Sequence, residues 1–150
     1  VCGRYGGIDQ RFINECVDEE ISVGDYILTG GEIPALLVVD TVARFIPGVI
    51  GNAQSVQVES FSNNQLEGAS FTRPQKLFGQ SVPDILLSGD HKKITNLRED
   101  LSLVMTYLRR QDLLTDKVAF EDIQKRAQKI GKNDLATCGV SQDELDTLGL

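Results

Sequence analysis

Two glycine clusters, one arginine in an apolar segment and one isolated carboxylate are the features of this sequence whose residue types and spacing could do chemistry. The clusters are Gly3-Arg-Tyr-Gly6-Gly7-Ile-Asp9 and Gly24-Asp-Tyr-Ile-Leu-Thr-Gly30-Gly31. Backbone lacking Cβ atoms can approach a ligand closely there, or simply turn. Neither cluster is Gly-x-Gly-x-x-Gly or Gly-x4-Gly-Lys-Ser/Thr, so neither a dinucleotide fingerprint nor a phosphate loop is supported. Arg44 follows Asp40 by four residues in a stretch with no other charge between them. An unpaired buried guanidinium is costly, so Arg44 either pairs with Asp40 or faces a cleft. Glu59 is the one charged residue in positions 51–65; it is either a solvated linker side chain or a carboxylate carried by a lid. Lys92, Lys93, Arg98, Arg109 and Arg110 form a solvated face or a grip for a phosphate backbone.

Chemistries that need other constellations are disfavoured. The sequence has one histidine, His91, and three cysteines, Cys2, Cys16 and Cys138, irregularly spaced. They build neither a disulfide framework nor a Cys-x-x-Cys zinc knuckle. No Gly-x-Ser-x-Gly elbow accompanies His91, which argues against a serine triad.

The elements that must position these residues read as follows. Phe12, Ile13 and Cys16 recur at helical spacing in residues 10–18, and residues 25–29 read as a buried strand stopped by Gly30-Gly31. Pro34 sits in the first turn of a helix extending to about residue 45, apolar on nearly every face. Strand, glycine turn and buried helix together predict an α/β unit. Residues 51–70, rich in Gln, Asn and Ser, read as a linker. Beyond them residues 84–88 read as a strand, and Ile94, Leu97, Leu101, Val104, Met105 and Leu108 mark one stripe of a long amphipathic helix. Two further helices are expected at residues 120–130 and 142–148. Gly131 ends the first, and Ser141 with Glu144 forms a capping box for the second.

The 150 residues carry 15 basic and 22 acidic side chains, a formal charge of −7. That excludes a protein that coats nucleic acid by charge alone, but not an enzyme with a local basic patch. Residues 1–50 hold 8 acids and 3 bases, so the basic side chains concentrate in the second part. With 41% hydrophobic and 25% charged residues the chain is globular in composition. Its longest nearly uninterrupted apolar stretch, residues 33–39, is far short of the ~20 residues of a membrane helix. The opening Val-Cys-Gly-Arg-Tyr lacks signal-peptide features. A cytoplasmic location and a segment of a longer protein are expected.

Taken in order, the motifs Val-Cys-Gly-Arg-Tyr-x-Gly-Ile-Asp (1–9), Asp-Glu-Glu-x-Ser-Val-Gly-Asp-Tyr-Ile-Leu-Thr-Gly-Gly-Glu-Ile-Pro-Ala (18–35), Ala-Arg-Phe-Ile-Pro-Gly-Val (43–49), Glu-Ser-Phe (59–61), Thr-Arg-Pro (72–74) and Val-Pro-Asp-Ile-Leu-Leu-Ser-Gly-Asp-His (82–91) closely resemble the bacterial tRNA (guanine-N1)-methyltransferases of the SPOUT class, from Val1 to about Leu114. The resemblance implies an α/β fold. Residues 1–50 would be the C-terminal part of a trefoil-knot cofactor domain, 51–70 an interdomain linker or lid, and 71–150 a small, mostly helical tRNA-binding domain. It also implies a homodimer with active sites shared between subunits.

The implied cofactor is S-adenosylmethionine. It would be held by Gly3, Tyr5 and Gly7 in a first loop, Val23, Gly24, Asp25, Tyr26, Ile27 and Leu28 in a second, and Gly30, Gly31 and Pro34 in a third. Mg2+ is a candidate second cofactor with no ligand assigned. The implied reaction methylates N1 of the guanine just 3′ of the tRNA anticodon, with Glu59 as general base and Arg44 holding Glu59 or steadying the guanine oxygen. Four positions depart from the common family pattern. Glu59 stands for aspartate, Gly6 for a frequent glutamate, Phe71 for tyrosine and Leu97 for tryptophan. The alternative from a different class is a catalytically inactive dimerisation or tRNA-docking module, which S-adenosylmethionine binding would distinguish. A small-molecule methyltransferase on the same fold is disfavoured by the basic residues around the long helix.

Overall fold

Asp9 begins the first helix. Its carboxylate accepts the Arg11 backbone N–H at 2.9 Å, and α1 runs Gln10–Cys16. The computed structural model describes residues 1–51, 59–114 and 118–150. The chain divides into two compact units, Val1–Ala53 and Gln54–Leu150.

In the first unit irregular chain leads from α1 to helix α2, Glu32–Ala43, with Glu32 and Pro34 in its first turn. An acid there complements the helix dipole, and the missing proline N–H costs nothing at that end. The strand expected at residues 25–29 does not form. Those residues are bends and irregular chain, and one isolated antiparallel bridge joins Arg4 to Gly30. A strand persists only where a neighbour offers a row of N–H and C=O groups, and the described residues of this unit contain no second strand. The expected burial of α2 is likewise absent: Leu36 is 68% and Val39 63% exposed. Arg44, the C-cap of α2, is exposed. The cost of burying its guanidinium therefore does not arise within this unit.

The second unit opens its regular structure with a hairpin that periodicity did not reveal, β1 (Lys76–Leu77) and β2 (Gln80–Ser81), paired antiparallel as Lys76 with Ser81 and Leu77 with Gln80. Residues 84–88, expected as a strand, form instead the single-turn helix α3, Asp84–Leu87. Pro83 leads in with φ −51°, and Asp84 supplies first-turn acidity. With no strand among the described residues to pair with beyond the β1–β2 hairpin, a local turn satisfies the backbone better than an extended segment.

Helix α4, His91–Arg109, is capped by Asp90, whose side chain accepts the Lys93 N–H at 3.2 Å. Its expected stripe faces inward: Leu97, Leu101, Val104 and Met105 are buried, and Ile94 and Leu108 are half-buried. After a 3₁₀ turn, Gln111–Leu113, follow α5 (Phe120–Ile130), α6 (Lys132–Thr137) and α7 (Gln142–Leu148). Gly131, at φ +92°, ends α5 and lets α6 start at once, which hid α6 from a reading that took the glycine only as a stop. The capping box of α7 is complete. Ser141 Oγ accepts the Glu144 N–H at 3.3 Å, and Glu144 Oε2 accepts the Ser141 N–H at 2.7 Å.

Ile123, Ala127, Leu135, Val140, Leu145 and Leu148 close the core against the α4 stripe. Each fully buried Val, Leu or Ile side chain among them contributes about 1.5–3 kcal/mol. Asp100 is also buried, and its carboxylate accepts from Arg126 and, at 2.7 Å, from Lys129 Nζ, tying α4 to α5.

Residues 59–70 are not a free linker. The Leu66 N–H donates to Thr106 Oγ1 at 2.8 Å, and Ser102 Oγ donates to the Leu66 carbonyl at 2.6 Å. Two hydroxyls one turn apart on α4 thus satisfy a backbone that composition alone left without partners. The remaining part of the expected linker, residues 52–58, lies outside the described residues.

Candidate functional site

Three stretches of the first unit converge on one concavity of about 420 Å³, within the size range of small-molecule sites. Ten of the residues picked out in the sequence line it: Gly3, Tyr5, Gly7, Val23, Gly24, Tyr26, Leu28, Gly30, Gly31 and Pro34. Asp25 and Ile27 are not in the lining, and Ile27 is 99% exposed. Arg4, Ile8, Ile13, Ser22 and Thr29 also line the cavity and were missed. Their signal was adjacency: each flanks a glycine turn or faces it from α1.

Backbone contact shapes this cavity. The Gly31 N–H donates to the Gly3 carbonyl at 3.2 Å, and a Cβ on Gly31 would stand 2.9 Å from Cys2 Cα. Only glycine allows two main chains to meet that closely. Gly24 has φ +149°, and a Cβ there would strike the Tyr26 ring. That ring is held by its own hydroxyl, which donates to the Val23 carbonyl at 3.1 Å. Arg4 Nε donates to Glu32 Oε1 at 2.6 Å, fixing the first loop to the start of α2. Tyr5 is a non-glycine residue at φ +61° with a wholly exposed ring, a backbone state that clusters at ligand sites. Chemically the cavity offers peptide groups, two phenol rings, the Ser22 and Thr29 hydroxyls, the apolar Ile8, Ile13, Val23 and Leu28, and one cation, Arg4, which is already paired with Glu32. Such a mixed lining suits a flat heterocycle with a polar edge.

Glu59 belongs to the second unit. It is half-buried and lines a separate concavity of about 330 Å³ with Asn63, residues 65–70, and Thr95, Arg98, Glu99 and Ser102 of α4. Arg44 belongs to the first unit, at the end of α2.

Three cations of the basic run around α4 are paired with carboxylates at the surface. Arg109 Nε donates to Glu144 Oε1 at 2.9 Å, and its Nη2 donates to the Gly139 carbonyl at 2.5 Å. The hydrogen bond from Arg109 holds the Glu144 carboxyl down at a pKa of about 2. Arg110 pairs with Asp112 at 2.7 Å and lies over the Phe61 ring, 5.7 Å from its centroid. Lys93 pairs with Asp90 at 3.3 Å. Lys92 and Arg98 make no ion pair among the described residues. Three of the five cations thus have carboxylate partners, close in sequence for Lys93 and Arg110 and on α7 for Arg109.

Among the described residues no cluster of three His, Cys, Asp or Glu side chains is placed to hold a metal ion. No described helix is long and apolar enough to cross a membrane.

Residues 1–116 match the family model described as tRNA (Guanine-1)-methyltransferase TrmD. The chain is 54% identical over 125 residues to a tRNA (guanine-N(1)-)-methyltransferase of Pseudoalteromonas atlantica, covering 83% of this chain and 47% of that relative. It is 54% identical over 116 residues to the protein of the same name in Alkaliphilus oremlandii, covering 77% and 47%. It is 52% identical over 126 residues to that of Actinobacillus succinogenes, covering 84% and 51%. The chain spans about half the length of the curated relatives it matches. With the family model covering most of its residues, the chain belongs to the tRNA (guanine-1)-methyltransferase TrmD family.

Proposed function

We propose that the protein carrying this chain transfers the methyl group of S-adenosylmethionine to N1 of the guanine 3′-adjacent to the anticodon of tRNA. The observation that carries this reading is the convergence of the three glycine-bearing stretches on one cavity in the first unit. Its lining fits the cofactor. An adenine ring can pack against Ile8, Val23 and Leu28, and backbone N–H and C=O groups can pair with the base edge and the ribose. When bound, S-adenosylmethionine supplies an electrophilic methyl on a sulfonium. The hydrogen bond from the Gly31 N–H to the Gly3 carbonyl holds two walls of the cavity together, and Tyr26 is already braced by Val23.

Guanine N1 carries a proton that must leave as the new bond forms, so a base is needed, and Glu59 is the carboxylate proposed for that role. Charge then develops on the guanine oxygen, and the Arg44 guanidinium is the proposed compensating cation. The fold proposed for the first unit is the C-terminal part of a SPOUT trefoil knot, with the helical second unit as the tRNA-binding domain. A homodimer with active sites shared between subunits, working in the cytoplasm, completes the proposal. The exposed apolar surface of α2 supports a larger assembly, because Leu36, Val39 and Val42 are each more than half exposed. Among the described residues no group of three acidic, His or Cys side chains supports a site for Mg2+.

The test is methylation of a tRNA transcript by the complete protein and its Glu59→Gln variant. The variant is expected to bind S-adenosylmethionine with unchanged affinity in calorimetry and to lose methylation by roughly 10²–10⁴-fold. Near-normal turnover would remove Glu59 from the mechanism, and no heat of cofactor binding to the wild type would overturn the cavity assignment.

A further inference from the structure

The hairpin of the second unit ends in a residue that folding alone does not favour. Phe78 and Gly79 form its two-residue turn, with φ +50° and +83°. Asparagine or glycine is the usual choice at the first of these positions, since a bulky side chain is strained there. Phe78 also leaves its ring 96% exposed, beside a Leu77 that is 53% exposed. Neither side chain contributes to the core, so their burial does not explain them.

Two further observations point to what the ring meets. Phe78, Leu77, Phe71 and Pro74 line a concavity of about 210 Å³, together with polar side chains that include Gln75 and Gln80. That volume is below the ~300 Å³ of sites for drug-sized ligands, which suits a single planar ring with a hydrogen-bonding edge. The flanking charge is of one sign. Residues 68–83 contain Arg73 and Lys76 and no acid, in a chain whose net charge is −7. Both cations are exposed.

We infer that the hairpin tip is an RNA contact: the Phe78 ring stacks on one unpaired nucleobase of the substrate while Arg73 and Lys76 meet the adjoining phosphates. Stacking on an exposed aromatic is tolerant of base identity, and the two cations add salt dependence. This inference rests on the proposal that the substrate is tRNA.

Phe78→Trp in the full protein places an indole fluorophore at the tip, in a chain whose 150 residues hold no other tryptophan, and its signal is the difference between variant and wild-type emission. Its emission is expected to be quenched by a tRNA anticodon stem-loop transcript and left unchanged by a fully paired RNA duplex of equal length. Phe78→Asn gives the turn its preferred residue, so the hairpin is retained. It is expected to weaken stem-loop binding roughly 5- to 150-fold while leaving S-adenosylmethionine affinity unchanged. Equal stem-loop affinity in wild type and Phe78→Asn would overturn the inference and leave the tRNA reading standing. No stem-loop binding by the wild type would overturn both. Loss of self-association in Phe78→Asn, with RNA affinity intact, would assign the tip to a second copy of the chain and likewise overturn it.

Discussion

Helices α2 and α4 are both rich in aliphatic side chains, yet they meet opposite fates. In α2 the apolar residues surround the axis, and Leu36 and Val39 stay mostly exposed. In α4 they are confined to one stripe, and Leu101 and Val104 are 1% and 0% exposed. A stripe can be covered by a few short helices, and α5, α6 and α7 do so. An all-round apolar helix needs covering elements on several sides, and the described residues of its unit supply only α1 and irregular loops. Burial is thus a property of a helix together with its neighbours. The first unit owes its form to turns, caps and close glycine contacts, the second to a closed core.

The sharpest way to break this contrast is thiol accessibility. Cys2 and Cys16 are exposed and Cys138 is buried, and burial pushes the Cys138 thiol up to about 11. Under native conditions a thiol reagent is expected to label Cys138 about 10³-fold or more slowly than the other two, because its exposure requires the unit to open. Comparable rates, followed by mass spectrometry, would mean the second unit has no closed core.

Core truncation comes next. Leu101→Ala is expected to destabilise the second unit by about 2–5 kcal/mol in denaturant titrations, whereas Leu36→Ala, at an exposed position, shifts the chain by no more than about 0.5 kcal/mol. A similar cost at both positions would erase the distinction between the helices.

Asp100→Asn should cost about 1.5–3 kcal/mol, the value of hydrogen bonds to a charged group. It removes the carboxylate that accepts from Arg126 and Lys129. A neutral result would show that these cations are equally well placed in water.

The smallest effect is a pH dependence. Glu144 is depressed from 4.5 to about 2 by Arg109, so the pair stabilises the fold above pH 4.5, and that contribution is lost as pH falls from there toward 2. Arg109 is 40% exposed at its side chain, and after screening the effect is about 1 kcal/mol. Glu144→Gln should therefore be less stable than wild type at pH 6, with the gap closing by pH 2. An unchanging gap would assign the loss to packing.

Local signals were legible along the whole chain. Gly131 and the Ser141/Glu144 box predicted helix ends that the structure reproduces, because capping is settled by residues within one turn. The α4 stripe predicted which face would be buried, because a single apolar face leaves only one side to cover. Segments whose conformation depends on a distant partner were misread: residues 25–29 and 84–88 have strand-like composition, but among the described residues neither pairs with a strand. Residues 59–70 looked like free linker because nothing local shows that Ser102 and Thr106 will receive their backbone. For the candidate site, the glycines and loop residues were visible as motifs, while Ile8 and Ile13 became lining only when the loops came together.

By itself, then, the sequence determined the helix boundaries at caps, the amphipathic stripe of α4 and the family to which the chain belongs, since all of these are written in residue order. Only the tertiary structure decided that ten motif residues share one cavity, that Arg109 is tied to Glu144, and that Phe78 stands alone at a hairpin tip. Those facts join residues far apart in the chain or measure exposure, and exposure is fixed only once every neighbour has its place.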